Sequence, residues 1–307
     1  MYRHILTVLE ADTTEQKALS RALHIARLEQ AKLTLFISIY DFAYEMTTML
    51  SSEEREQMRY SLIEDRKEWI ADILEDFDTH GLSIEFDIVW HHRPYEAIIR
   101  SALACKADLI VKGTRKHDTL PSVIFTPTDW SLLRKAPTPV LLVKDHDWPP
   151  QGQVLCAVHA ASESNVHQSL NKELLTSADY MANKLSANLH VVNCYPGAPA
   201  TIAMEIPEFD TQNYQASVRE FHEQALDSLM NTNGHIHAEL HLREGMPEDE
   251  IPTLAKELDA ELVVLGTIGR TGLSAAFLGN TAEHVIERLN CDLLALKPAG
   301  FKSPIQA

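Results

Sequence analysis

Short apolar runs alternate along this chain with longer segments of amphipathic character. In the first half the apolar runs are His4 to Leu9, Lys32 to Ile39, Ser83 to Trp90, Asp108 to Lys112 and Val140 to Val143. Between them, apolar residues recur at helical spacing over Glu15 to Gln30, Glu53 to Asp76, Pro94 to Ala104 and Thr128 to Lys135. Runs that stay apolar on both parities predict strands covered on both faces. Their alternation with helices predicts parallel strands joined by right-handed crossovers. Five strands in this rhythm make a doubly wound α/β domain. Such a sheet takes ligands outside the carboxyl ends of its strands, near the point where the strand order reverses.

The second half repeats the first. Ala107-Asp108-Leu109-Ile110-Val111-Lys112-Gly113-Thr114 is matched by Ala260-Glu261-Leu262-Val263-Val264-Leu265-Gly266-Thr267, 153 residues further on. The same offset carries Lys144 to Lys297, Pro94 to Pro247 and Gly81 to Gly234. Nearer each start the offset drifts by a few residues. Ile5-Leu6-Thr7-Val8 pairs with Leu155-Cys156-Ala157-Val158, and Ala31-Lys32-Leu33 with Ala187-Asn188-Leu189. A polar link bearing Pro149, Pro150 and Gly152 separates the copies. The expected architecture is two tandem, doubly wound, five-stranded parallel-sheet domains, spanning 1–146 and 153–300.

Composition narrows the function classes. At 307 residues with 45% hydrophobic content, the chain is long enough for two sizeable cores. No run reaches the roughly 18 apolar residues of a membrane span. The start Met1-Tyr2-Arg3-His4-Ile5 enters a strand directly and reads as having no signal peptide. Four scattered cysteines (Cys105, Cys156, Cys194, Cys291) read as small core residues in a reducing cytoplasm. A net charge of −17 argues against broad nucleic-acid binding, though not against a local pocket for one phosphorylated ligand.

The segment that carries chemistry follows the fourth strand of the second copy. It runs from Gly266-Thr267-Ile268-Gly269-Arg270 to Gly279-Asn280-Thr281-Ala282-Glu283, where a helix begins. Glycines let the backbone approach a phosphate closely. Asn280 is expected as the N-cap, with Glu283 completing a capping box. The free N–H groups and the positive end of that helix would form an anion site, to which Asn280, Thr281 and Arg270 add donors. The plain alternative is a glycine loop that only turns the chain.

The pattern Gly266-x-x-Gly269, nine residues, then Gly279 resembles the phosphate loop of the universal stress protein family. That family's loop usually ends in Gly-Ser or Gly-Thr, where this chain has Gly279-Asn280. The resemblance extends over the whole chain, once per copy. Further segments resemble the family's tandem, E-type members of gamma-proteobacteria. They are Ile39-Tyr40-Asp41-Phe42 with Glu45-Met46-Thr47-Thr48, Phe125-Thr126-Pro127-Thr128-Asp129-Trp130, Glu205-Ile206-Pro207-Glu208-Phe209-Asp210, and Arg270-Thr271-Gly272 through Glu283.

The resemblance implies a flavodoxin-like fold of the adenine nucleotide alpha-hydrolase type, a cytoplasmic location and a role in stress resistance. It also implies ATP or AMP as ligand and association through the last strand. A tandem chain then either mimics the family dimer as a monomer or forms a homodimer. Carried over residue by residue, the nucleoside would meet His159 and Val191. The phosphates would meet Leu265, Gly266, Gly269, Gly279, Asn280 and Thr281. His159 departs from the acid of ATP-binding members, because an imidazole does not reproduce a carboxylate's two acceptors.

In the first copy the loop positions are Lys116, Thr126 and Pro127 in place of Gly269, Gly279 and Asn280. Thr126-Pro127-Thr128-Asp129 is a good helix start, with Thr126 as N-cap and Pro127 at the first helical position. The helix is therefore kept while the phosphate cradle is lost, and this copy reads as structural or differently specialised. Glu10 is its nearest acidic match to the family's nucleoside contact.

Fifteen histidines raise the question of metal. His235, His237 and His241 share one parity with Glu239 between them, and Ile236, Ala238, Leu240 and Leu242 share the other. That alternation predicts a half-exposed edge strand. His91, His92, His117 and Asp118 fall near strand ends in the first copy, where zinc or an anion is the alternative to no metal at all. Cys194 to Phe209 reads either as a flap over the cleft or as a packed loop. Met58, Leu62, Trp69, Ile70 and Ile73 share a helical stripe and read as a core face. No nucleophile elbow, Walker loop or paired acids stand out. Three readings follow: a nucleotide binder without dedicated turnover, a slow ATPase, and a scaffold for an apolar metabolite or a protein partner.

Overall fold

The computed structural model describes residues 1–307 apart from 12, 14, 42–49, 117–122, 146, 199–209, 268–278 and 307. The chain divides into two compact units, one built mainly from residues 1–143 and the other mainly from residues 144–302.

The first unit runs β1 (His4–Val8), α1 (Lys17–Glu29), β2 (Lys32–Ile39), α2 (Ser52–Glu75), β3 (Ile84–Trp90), α3 (Pro94–Cys105), β4 (Leu109–Gly113), α4 (Pro127–Lys135) and β5 (Val140–Val143). Two short strands, Arg115–Lys116 and Val123–Ile124, lie between β4 and α4. Its sheet has the order β3-β2-β1-β4-β5, and the pairings β1–β2, β1–β4, β2–β3 and β4–β5 are all parallel. The central strands bury both parities, as with Ile5, Leu6 and Thr7 of β1. Helix α1 covers them with Leu19, Ala22, Leu23 and Ala26, an i, i+3, i+4, i+7 stripe.

The second unit repeats this with β6 (Gln153–Val158), α5 (Asn165–Leu185), β7 (Asn188–Tyr195), α6 (Thr211–Thr232), β8 (Glu239–Glu244), α7 (Pro247–Glu257), β9 (Leu262–Gly266), α8 (Asn280–Arg288) and β10 (Asp292–Leu296). Its order is β8-β7-β6-β9-β10, again parallel throughout. The strand order reverses between β6 and β9, so the crevice beyond their carboxyl ends is where a doubly wound sheet takes a ligand.

The described structure corrects two expectations. The edge strand β8 starts at Glu239, so His235 and His237 precede it. Asn233 and Ile236 are turned inward there, and the Ile236 N–H donates to the Asn233 carbonyl at 2.9 Å, which closes a turn instead of a strand. In α2 only Ile70 is buried, while Met58 and Leu62 are exposed, so that stripe is not a core face. No described helix is long and apolar enough to cross a membrane.

Candidate ligand-binding site

A cavity of about 770 Å³ opens in the second unit at the carboxyl ends of β6 and β9. That size lies within the range of small-molecule sites. Its walls come from the ends of β6, β7 and β9, from α5, α6 and α7, and from the start of α8.

The β6 end is braced from two sides. The Asn171 side chain, itself buried in α5, accepts from the His159 N–H at 3.1 Å and donates to the His159 carbonyl at 2.9 Å. The Ala160 N–H donates to Asn193 Oδ1 at 2.9 Å. The Asn193 amide in turn donates to His222 Nδ1 at 3.2 Å. Both buried amides are thereby used in full view of the backbone they hold, which satisfies groups that would otherwise be stranded.

Three imidazoles, His159, His167 and His222, face the cavity. The His159 and His167 rings meet edge to face at 5.5 Å, and His222 lies against Tyr195 at 5.6 Å. Burial lowers the pKa of His159, and His167 and His222 push it the same way. Burial alone lowers that of His222. Neutral rings each offer one donor and one acceptor. Among the described lining residues there is no carboxylate. Cys194 also lines the wall, and burial pushes its thiol up to about 12, which removes it as a nucleophile near neutrality.

At the opposite wall stand Leu265, Gly266, Gly279, Asn280 and Thr281. A Cβ at Gly266 would collide with the Leu170 side chain, so glycine there lets α5 close on the end of β9. Neither Gly266 nor Gly279 has a positive φ. Their role is close approach and not left-handed backbone. The N-cap of α8 is Gly279 and not Asn280, which corrects the capping-box expectation. Asn280 occupies the first helical position, and the glycine N-cap has no side chain to cap the helix. Among the described residues, the first N–H groups of α8 thus face the cavity without a cap side chain. The root of the glycine loop is fixed by Thr267, whose N–H donates to the Leu296 carbonyl at 2.9 Å and whose carbonyl accepts from Lys297 Nζ at 2.8 Å.

Of the residues expected from sequence, His159, Leu265, Gly266, Gly279, Asn280 and Thr281 meet in this one cavity. Val191 does not: it is wholly buried in mid-strand, and β7 reaches the wall through Cys194 and Tyr195. Gly269 and Arg270 lie outside the described residues. So do His117 and Asp118, and with them the test of a metal cluster in the first copy. His91 stacks on His92 at 5.1 Å, and its Nδ1 accepts from the Arg93 N–H at 3.0 Å. Most of the proposed flap, 199–209, also lies outside the described residues. His167, Asn171, Asn193 and His222 were not singled out from sequence. Their only signal was a polar residue recurring on an apolar helix or strand face.

The first unit answers the same position differently. Lys112, at the place of Leu265, is buried, and its Nζ lies 2.9 Å from both Glu10 Oε1 and Asp129 Oδ1. The contact to Asp129 is an ion pair outside hydrogen-bonding angles, while that to Glu10 is a hydrogen bond. Asp129, at the place of Ala282, is wholly buried and accepts from the Thr126 N–H at 2.7 Å, closing the capping box expected from Thr126-Pro127-Thr128-Asp129. A carboxylate of the chain itself therefore sits where α4 presents its positive end.

The fold and this crevice define an α/β protein of the universal stress class. The chain belongs to the universal stress protein family, whose sequence profile matches residues 1–144 and again 166–297. It is 45% identical over 307 residues to universal stress protein E of Escherichia coli, covering 100% of this chain and 97% of that one. It is 41% identical over 303 residues to the universal stress protein E homolog of Haemophilus influenzae, covering 97% and 98%. Among solved structures, it resembles a putative universal stress protein from Pseudomonas aeruginosa at 32% identity and a TM-score of 0.73, covering 97% and 94%.

Proposed function

We propose that this chain is a cytoplasmic stress-response protein that binds an adenine nucleotide, or a related phosphorylated ligand, in its second domain (153–300), without dedicated catalysis. The first domain (1–146) is closed to the same ligand. The observation that carries this reading is the uncapped start of α8, with Gly279, Asn280 and Thr281 facing the same cavity as Gly266 and His159. The phosphates would lie against that helix start and the glycine loop, where Gly269 and Arg270 belong. The ribose would meet the His159 imidazole as a single donor or acceptor. The family resemblance supports the same ligand class.

A second reading has its own observation. Leu170, Leu174, Met246, Ile251 and Val285 also line the cavity, a wall suited to an apolar metabolite. Calorimetry with ATP and AMP on the wild type and on Gly279→Asp separates the two. Aspartate is a good N-cap, so the helix is retained while a negative charge enters the anion site. Binding by the wild type, lost in the variant and without turnover, is the expected result. No binding of either nucleotide, with displacement of an apolar fluorescent probe by apolar metabolites, would replace it with the second reading.

A further inference from the structure

We propose that His190, His241 and Glu239 form a binding site for a divalent transition ion of the zinc class on the edge of the second sheet. Glu239 and His190 are register partners across β8 and β7, and His241 stands two residues further along β8. By strand alternation all three side chains emerge on the same sheet face. One donor atom from each lies within 4.8 Å of the other two.

The spacing suits a small ion. His190 Nδ1 and His241 Nε2 are 3.0 Å apart, and each lies 3.8 Å from a Glu239 oxygen. Donors at zinc–ligand distances around a tetrahedral ion stand roughly 3.3 Å from one another. The observed separations bracket that value, and Glu239 is exposed enough to close the difference by rotation. His190 is buried and His241 nearly so, which holds both rings in place.

The outer partner sets the chemistry of His190. Its Nε2 lies 2.8 Å from Gln153 Oε1, which can only accept, so Nε2 carries the hydrogen and Nδ1 presents its lone pair. A ligating histidine held by a carbonyl through its other nitrogen is the usual arrangement at a metal. Without an ion, His241 Nε2–H donates to that lone pair. With one, the His241 hydrogen moves to Nδ1 through solvent, and both nitrogens turn their lone pairs to the ion. Two imidazoles and one carboxylate favour zinc, nickel, cobalt or copper over calcium or magnesium. Three protein donors leave a position for water.

The site is separate from the ligand cavity. Gln153 and Glu239 are the first residues of β6 and β8, and His190 is the third of β7, so the cluster lies at the amino end of the sheet. The cavity lies at the carboxyl end. An ion here would tie the edge strand β8 to β7 and blunt an otherwise open edge.

The test uses the full chain, purified without a histidine tag and stripped with a chelator. Zinc is titrated by calorimetry, and cobalt is followed by its visible absorption. The expected result is one ion per chain, lost in His241→Asn, weakened in Glu239→Gln and weakened about 10-fold or more in Gln153→Leu. Zinc should raise the melting temperature of the wild type and leave that of His241→Asn unchanged. His91→Asn, in the first unit, should bind as the wild type does. Glu239 is mostly exposed, so its variant keeps the test valid should His241→Asn fold poorly. No ion on the wild type, or binding that survives both His241→Asn and Glu239→Gln, would overturn the proposal, as would binding lost with His91 alone.

Discussion

Replacing Lys112 by methionine should destabilise the first unit by about 3–5 kcal/mol, the usual result of removing one partner from a buried ion pair. The Lys112 ammonium touches Glu10 and Asp129, each at 2.9 Å. At an effective dielectric of 20, one such contact has a gross attraction of roughly 6 kcal/mol. Taking three charges out of water costs several kcal/mol per ion, so the net worth of the intact triad is small. Methionine fills similar space but removes both attractions. It leaves two carboxylates facing each other, one of them, Asp129, wholly buried.

The reasoning therefore predicts strong non-additivity. Lys112→Leu combined with Asp129→Ala copies the Leu265 and Ala282 of the second unit. It should cost less than Lys112→Met alone, chiefly the loss of the Asp129 half of the capping box, at about 1 kcal/mol. Urea unfolding followed by tryptophan fluorescence measures this. Trp69, Trp90 and Trp130 lie in the first unit and only Trp148 in the second. The pH dependence is a second readout. Burial pulls the Lys112 pKa down, but Asp129 and Glu10 outweigh it and hold it above the ordinary 10.5. Its stabilisation is present below 10.5 and disappears as pH rises through the folded value. The wild type should thus weaken in strong alkali, where Lys112→Met has no such slope. A methionine variant within 1 kcal/mol of wild type, or a double variant worse than the single, would refute the account.

Two further outcomes follow from the second unit. Burial lowers the Lys297 pKa to about 7, so between 7 and 10.5 the unfolded chain holds the proton that the folded chain has released. Stability should rise with pH across that window, and Lys297→Met should remove the slope, at the cost of the bond to the Thr267 carbonyl; an unchanged slope would contradict the burial argument. Asn171→Leu should leave the His159 N–H without its partner and the His159 carbonyl with only the Ser162 N–H at 3.3 Å, costing roughly 1–3 kcal/mol and weakening ligand binding in calorimetry, whereas an undisturbed melting curve would show that His159 is held by other contacts.

The local grammar of the fold was readable from the residues. The runs Lys32 to Ile39 and Val140 to Val143 coincide with β2 and β5, and Pro94 and Pro127 open α3 and α4. These signals are local: apolar strand runs, a proline at the first helical turn, a threonine before it. What escaped reading depends on contacts between distant segments. The stripe of Met58 and Leu62 in α2 is real as a pattern, but periodicity does not tell whether anything covers it. The alternation along β8 alone does not reveal His190 as a neighbour of His241, because parallel register joins residues separated by a whole crossover. Asn280 looked like a cap by type, yet the chain enters the helix at Gly279, whose backbone alone supplies the first helical acceptor, at 3.1 Å from the Glu283 nitrogen.

The comparison of the two copies gives the site its physical logic. A helix that starts at the end of a central strand carries positive potential and several N–H groups that need acceptors. The first unit resolves this internally: Asp129 supplies the anion and closes the capping box with the Thr126 N-cap, and Lys112 and Glu10 complete the charge balance. The second unit has alanine and leucine at the corresponding two places, and its helix start has no side-chain cap. The same backbone thus holds a built-in anion in one copy and, on the proposed reading, an external one in the other. Glu10, the nearest acidic match to the family's nucleoside contact, has its carboxylate engaged with Lys112. The internal anion also explains why the degenerate copy keeps a strict helix start: with Asp129 as the resident anion, the Thr126 cap and Pro127 hold that carboxylate at the positive end of α4.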